Sequence, residues 1–188
     1  MSVAYSKTQP KESVSAFFNP EELAQYMGIR SGMKVADFGS GSGFFAVMLA
    51  RATGLDGHVW AVDILESAVE AARSRAKFYG LPQVTVMRGD VTRPGGSGLA
   101  DRSCDLVLCS NLFFQVKEHA AVLQEVGRVL QDKGTLVVIE WKADGILGPP
   151  KDARVSRERI IELADQAGFT LEKEFNAGSS HIGLLFRR

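Results

Sequence analysis

Three aspartates and a run of alternating glycines are the residues of this chain whose types and spacing could do chemistry. The glycines stand in Asp37-Phe38-Gly39-Ser40-Gly41-Ser42-Gly43-Phe44-Phe45, with Val35-Ala36 leading in and apolar residues at helical spacing leading out. A strand, a tight loop and a helix start in that order let a ligand approach bare backbone beside a helix N-terminus. Asp63 and Asp90 end the next two apolar segments. A carboxylate at the first is suited to a ribose diol. One at the second can accept from an exocyclic amino group, with the Val91 N–H facing a ring nitrogen. Together the three strand ends describe a carboxylate or phosphate, then ribose, then adenine. Taken alone, the glycines merely permit a turn and Asp63 caps the next helix.

The dinucleotide fingerprint requires G-x-G-x-x-G, but Phe44 stands where its last glycine belongs. Two further strand ends carry polar residues, Ser110-Asn111 and Glu140. Glu140 is the candidate catalytic residue; it is a general base, an anchor for an amine, or simply a solvated carboxylate. Phe113, Phe114 and Trp141 line an acceptor pocket or pack on the sheet. His119 and His181 are bases or ordinary surface and capping histidines. Cys109, with apolar strand neighbours, reads as a buried thiol rather than a nucleophile. Between residues 142 and 159, five basic side chains stand against three acidic ones, which reads as a solvated face.

The elements that must position these groups alternate strand and helix. Strands are expected at Lys34–Phe38, His58–Ile64, Val84–Met87, Cys104–Cys109, Thr135–Trp141, Leu171–Phe175 and Ile182–Phe186. Asn19-Pro20-Glu21-Glu22 opens the first helix, with Glu22 closing a capping box; Ser67 and Glu70 form another. Residues 91–102 hold three glycines and a proline where a helix would otherwise stand, and residues 142–155 form a second long loop. The alternation predicts a doubly wound, mostly parallel sheet in three layers. Residues 1–18 read as a mobile arm with Tyr5 and Phe17-Phe18 as a candidate lid, and residues 19–188 as one domain.

Composition bounds the rest. The chain has 188 residues, 45% of them hydrophobic, with 22 basic and 22 acidic side chains. That balance disfavours a nucleic-acid or anionic-membrane partner, and no apolar run approaches the ~20 residues of a membrane span. Cys104 and Cys109, the only cysteines, stand five apart in one strand. At ~3.3 Å per residue this predicts opposite faces and roughly 16 Å between them. No disulfide then joins them, and a cytoplasmic location is expected. No Cys/His cluster has metal-site spacing. The oligomeric state stays open.

The chain resembles the class I S-adenosylmethionine-dependent methyltransferases, and among them the small quinone-biosynthesis-like enzymes. The carriers are Asp37–Gly43, Ala61-Val62-Asp63, Arg88-Gly89-Asp90-Val91, Asp105–Asn111, Gly127-Arg128-Val129-Leu130 and Gly134-Thr135-Leu136. The resemblance implies a Rossmann-like seven-stranded sheet of order 3-2-1-4-5-7-6 with the last strand antiparallel. It implies S-adenosyl-L-methionine as cofactor and a small-molecule acceptor. Asp37, Gly39, Ser40, Gly41, Gly43 and Phe44 would then hold the methionine end, and Asp63 the ribose. Ile64 would pack on the adenine, Asp90 and Val91 would read its edge, and Ser110 would lie near the sulfonium. Relatives that methylate arsenic use several cysteines, which this chain lacks. An oxidoreductase using a nicotinamide dinucleotide and a non-catalytic cofactor-binding scaffold are the competing readings.

Overall fold

The computed structural model describes residues 19–188; the expected arm and its lid residues lie outside them. The element order is α1 (Pro20–Tyr26), β1 (Lys34–Phe38), α2 (Phe44–Thr53), β2 (His58–Asp63), α3 (Glu66–Phe78), β3 (Val84–Arg88), β4 (Cys104–Ser110), α4 (His119–Val129), β5 (Leu130–Trp141), α5 (Arg157–Gln166), β6 (Thr170–Asn176) and β7 (His181–Arg187). The strands form one sheet of order β3-β2-β1-β4-β5-β7-β6. Only β7 runs antiparallel to its neighbours β5 and β6. Chain order reverses at β1, which pairs with β2 on one side and β4 on the other. Such a switch point opens a crevice beyond the strands' carboxyl ends.

Each sheet face has its own core, because side chains alternate along a strand. Val35, Val59, Leu106, Leu108, Val137 and Ile139 pack under α1 and α2. Ala36, Phe38, Val107, Cys109, Leu136 and Val138 pack under α4 and α5. The helix expected to be missing between β3 and β4 is missing: residues 91–102 form turns, and Val91 and Leu99 insert into the second core in its place.

Four local expectations need correction. Asn19 does cap α1, its Oδ1 accepting from the N–H groups of Glu21 (3.2 Å) and Glu22 (3.4 Å), but Glu22 accepts from the Tyr26 hydroxyl (2.9 Å) instead of closing a box. α3 begins at Glu66 behind Leu65, so Ser67 lies inside the first turn and caps nothing. The fifth strand, expected from Thr135, begins at Leu130, which pairs with Cys104. A register shift follows between Cys104 and Leu106. The extra residues lie in β5, five from Leu130 to Thr135 against two in β4, and Cys104 and Cys109 both contribute to the core under α4 and α5 instead of to opposite ones. Both are free and buried.

Candidate active site

The glycine loop turns because three of its residues take positive φ: Gly39 (72°), Gly41 (52°) and Gly43 (80°). Space decides two of these positions as well. A Cβ on Gly39 would lie 2.9 Å from Leu112, and one on Gly43 would lie 3.0 Å from the Ala72 Cβ of α3. At Gly41 nothing stands within 4 Å of such an atom. The loop therefore hugs the protein at its ends and is open at its centre. Gly43 thus lets the start of α2 approach α3, a helix–helix contact unlike the helix–strand one served by the fingerprint's last glycine, and Phe44 opens α2.

Asp63 ties this loop to the next helix. Its Oδ2 accepts the Gly41 N–H (2.8 Å) and its Oδ1 accepts the Leu65 N–H at the entry to α3 (2.9 Å). The capping and ligand-binding readings of Asp63 are thus compatible, since each carboxylate oxygen retains a second lone pair. Ile64 beside it is 51% exposed and offers an apolar platform.

Asp37 is buried at the end of β1, 1% exposed. Burial first, and the Asp63 charge second, push its carboxyl up to about 7, against the Ala46 N–H that lowers it. Asp37 Oδ2, Ser40 Oγ and Ser110 Oγ are buried with no hydrogen-bond partner among the described residues. Unsatisfied polar atoms of this kind are rare in folded proteins, and each calls for a partner supplied by a ligand or by water. They sit at the ends of the neighbouring strands β1 and β4. A zwitterionic, hydroxyl-bearing ligand with an adenine at its far end fits this donor and acceptor set.

Asp90 is less free than its position in the sequence suggests. Its Oδ1 accepts the N–H (3.1 Å) and hydroxyl (2.5 Å) of Thr92, and Arg93 pairs with Oδ2 at 2.9 Å. The Thr92 hydroxyl is the main reason its carboxyl is held below the usual range. Val91 is buried behind it.

On the other side of β1, the segment after β4 is fastened by Glu140. This side chain is 1% exposed, so it is not solvated. Its Oε1 accepts the Phe113 N–H (2.8 Å) and its Oε2 the Trp141 N–H (3.3 Å). Burial raises its carboxyl to about 7 in spite of those bonds. Phe113 is core, 1% exposed. Asn111, at φ 53°, accepts through Oδ1 from the His181 ring (Nε2···Oδ1 3.1 Å), and His181 lies against Trp141 with ring centroids 4.0 Å apart. Burial and then the Lys142 charge hold His181 down to about 4, so it is neutral near pH 7. His119 contacts the Phe113 carbonyl (2.9 Å). The Asn111–His181 pair is invisible in the sequence, 70 residues apart; only the antiparallel β5–β7 register, with Trp141 opposite His181, brings it together.

A family model described as a methyltransferase domain matches residues 29–173. The chain belongs to this methyltransferase family. Arsenite methyltransferase of Mus musculus is 34% identical over 109 residues, which are 55% of this chain and 29% of that protein. Demethylmenaquinone methyltransferase of Geobacillus kaustophilus is 26% identical over 128 residues, 68% of this chain and 53% of that one. The chain therefore spans well under two thirds of these curated relatives. A solved S-adenosylmethionine-dependent methyltransferase from Aquifex aeolicus superposes with a TM-score of 0.87 at 26% identity, over 94% of this chain and 93% of that one. The sheet order and the class I, S-adenosylmethionine-dependent family stand as the resemblance implied. Among the described residues no His, Cys, Asp or Glu group could hold a metal ion, and no helix is long and apolar enough to cross a membrane.

Proposed function

We propose that this protein transfers a methyl group from S-adenosyl-L-methionine to a small acceptor molecule bound beyond the ends of β4 and β5. The observation that carries this reading is the set of orphaned buried polar atoms, Asp37 Oδ2, Ser40 Oγ and Ser110 Oγ, beside the open glycine loop. Asp37 takes the ammonium of the methionine end, and Gly39 to Phe44 cradle its carboxylate at the start of α2. Asp63 holds the ribose diol, Ile64 covers one adenine face, and Asp90 with Val91 meets the adenine edge. The Ser110 hydroxyl would lie near the sulfonium.

When bound, the cofactor supplies a methyl group already activated by the sulfonium. The chemistry it would supply is a direct displacement, in which an acceptor lone pair would bond that carbon and the carbon–sulfur pair would return to sulfur. The protein's task is alignment and exclusion of water, and it needs a base only where the acceptor must lose a proton. Glu140 is occupied by three backbone groups around the acceptor side, Trp141, Phe113 and Phe114. We read it as holding that wall before acting on any proton.

The relatives named above act on arsenite and demethylmenaquinone. A thiol route to arsenic is opposed here: burial raises Cys104 to about 11, and burial plus the charges of Asp37 and Glu140 raises Cys109 further. Thiols so held are poor nucleophiles and poor soft-metal ligands. An organic acceptor in the cytoplasm is the reading we favour.

Calorimetric titration tests the cofactor half. Binding of S-adenosyl-L-methionine is expected, with Asp63→Ala weakening it at least tenfold and exposed Asp132→Ala leaving it unchanged. Tight binding of NAD without S-adenosylmethionine would overturn the reading. Radiolabelled methyl transfer into fractionated extract then reports whether label enters metabolites, as expected, or protein or RNA.

A further inference from the structure

The Asp90 segment is held from across the fold. After Val91 the chain runs to Arg102 without a helix, and turns alone do not fix a backbone. The restraint comes from two side chains of α4. Glu125 is 1% exposed and accepts five hydrogen bonds. Its Oε2 takes the Gly95 N–H (2.8 Å) and Arg128 Nε (2.9 Å). Its Oε1 takes the Ser97 N–H (3.1 Å), the Ser97 hydroxyl (2.5 Å) and Arg128 Nη2 (2.6 Å). Arg128 in turn donates through Nη1 to the Leu99 carbonyl (2.8 Å) and to Asp101 (2.5 Å).

Between the two residues that Glu125 grips lies Gly96, and its carbonyl accepts the Asp90 N–H at 2.8 Å. The two backbone stretches touch with no slack. A Cβ on Gly96 would collide with the Asp90 carbonyl oxygen, and one on Gly89 would lie 2.7 Å from the Gly96 oxygen. A shift of residues 95–97 therefore passes directly to Asp90. Burial opposes the Glu125 charge, but Arg128, Ser97 and the two loop N–H groups outweigh it and hold the carboxyl down to about 2. These donors all favour the ionised carboxylate. A buried pair of this kind specifies geometry more surely than it adds stability.

We propose that Glu125 and Arg128 are positioning residues for the adenine end of the cofactor, acting through Gly95–Ser97 on Asp90 and Val91. The inference rests on the methyltransferase reading of the site. It assigns a task to the Glu125-x-x-Arg128 pair, which touches no part of the cofactor crevice itself.

The test measures base discrimination, which a merely structural role would not move. The full chain is titrated with S-adenosylhomocysteine and with S-inosylhomocysteine, in which the amino group facing Asp90 is an oxygen. Wild type is expected to prefer the adenosyl compound. Ser97→Ala and Glu125→Gln are expected to shrink that preference by roughly 5- to 30-fold, the worth of one or two well-placed hydrogen bonds. Ser97→Ala is the milder variant and serves if Glu125→Gln does not fold. A lowered melting temperature with the preference intact would overturn the proposal, as would a wild type that binds both compounds equally. Binding of neither by wild type is a different failure, that of the methyltransferase reading.

Discussion

Asp37 is asked to do two opposed things, remain buried and carry charge, and the conflict has a measurable consequence. With its carboxyl raised to about 7, the free protein holds a proton there below neutrality. Pairing with an ammonium requires the ionised form, so the proton must leave on binding. Cofactor affinity is then expected to fall as pH drops below 7, by up to about tenfold per unit, and to rise by only about twofold from 7 to 8. Calorimetry from pH 5.5 to 8 reads this directly. Asp37→Asn should bind weakly and lose the slope; a wild-type affinity constant across that range would remove Asp37 from the ammonium site. Glu140 has a similar burial but different company, since its oxygens already meet backbone N–H groups of the 113–114 segment and Trp141. Glu140→Gln replaces an acceptor by a donor against those N–H groups. It is expected to leave the cofactor dissociation constant within about twofold and to lower turnover tenfold or more. Unchanged turnover would make Glu140 a bystander.

At the scale of elements, the loop after β5 shows how one side chain can organise what has no regular structure. Arg154 donates to the carbonyls of Pro149 (3.0 Å), Lys142 (2.6 Å), Gly145 (2.9 Å) and Leu147 (3.0 Å), drawing the chain around its guanidinium. Gly148 is thereby laid on the face of Trp141, where a Cβ would clash with the ring. Arg154→Ala is expected to free this loop, raise the apparent acceptor KM several-fold and leave cofactor affinity unchanged. Hydrogen exchange confined to residues 142–150 would accompany it, and an unaltered exchange pattern would refute the role. None of this could be read from the sequence, where Arg154 was one of five basic residues of a presumed solvated face. The strands and the glycine loop are legible because short apolar runs bounded by turn residues, and glycines clustered at a strand end, are local signals. Glu125 was missed because it shares a helix face with Val122 and Val126, and a charged residue there is passed over unless its i+3 partner Arg128 is weighed. Cys104 is hard to place for a related reason: the extra residues that shift the register lie in β5, between Leu130 and Thr135, and leave no mark in the β4 sequence.

For the whole molecule, the switch point at β1 gathers the ionisable chemistry at one edge of the sheet and buries part of it. Asp37 and Glu140 lie on strands either side of β4, and both are raised to about 7. Burying two such carboxyls biases the native state toward the protonated forms. The unfolded chain releases those protons near pH 4, so between 4 and 7 the native state binds more protons than the unfolded one. Stability must then fall as pH rises through that interval. His181, held down to about 4, works in the opposite direction below 6.5, and His58 is lowered too. Above pH 7 the histidines are largely neutral in both states, and the carboxylates dominate the slope. From pH 7 to 8 the free protein is expected to lose on the order of 0.5 kcal/mol, or roughly 1–2 °C in melting temperature. Saturating S-adenosylmethionine should roughly halve that loss, because bound ammonium stabilises ionised Asp37 and leaves Glu140 as the remaining contributor. Asp37→Asn should lose the same half without ligand, and adding Glu140→Gln should flatten the profile. Thermal melts at fixed ionic strength across this range would decide it: a melting temperature that rises with pH in the free protein would mean that these two carboxyls are ionised in the native state, and the polar atoms at the ends of β1 and β5 would then need another source of compensation.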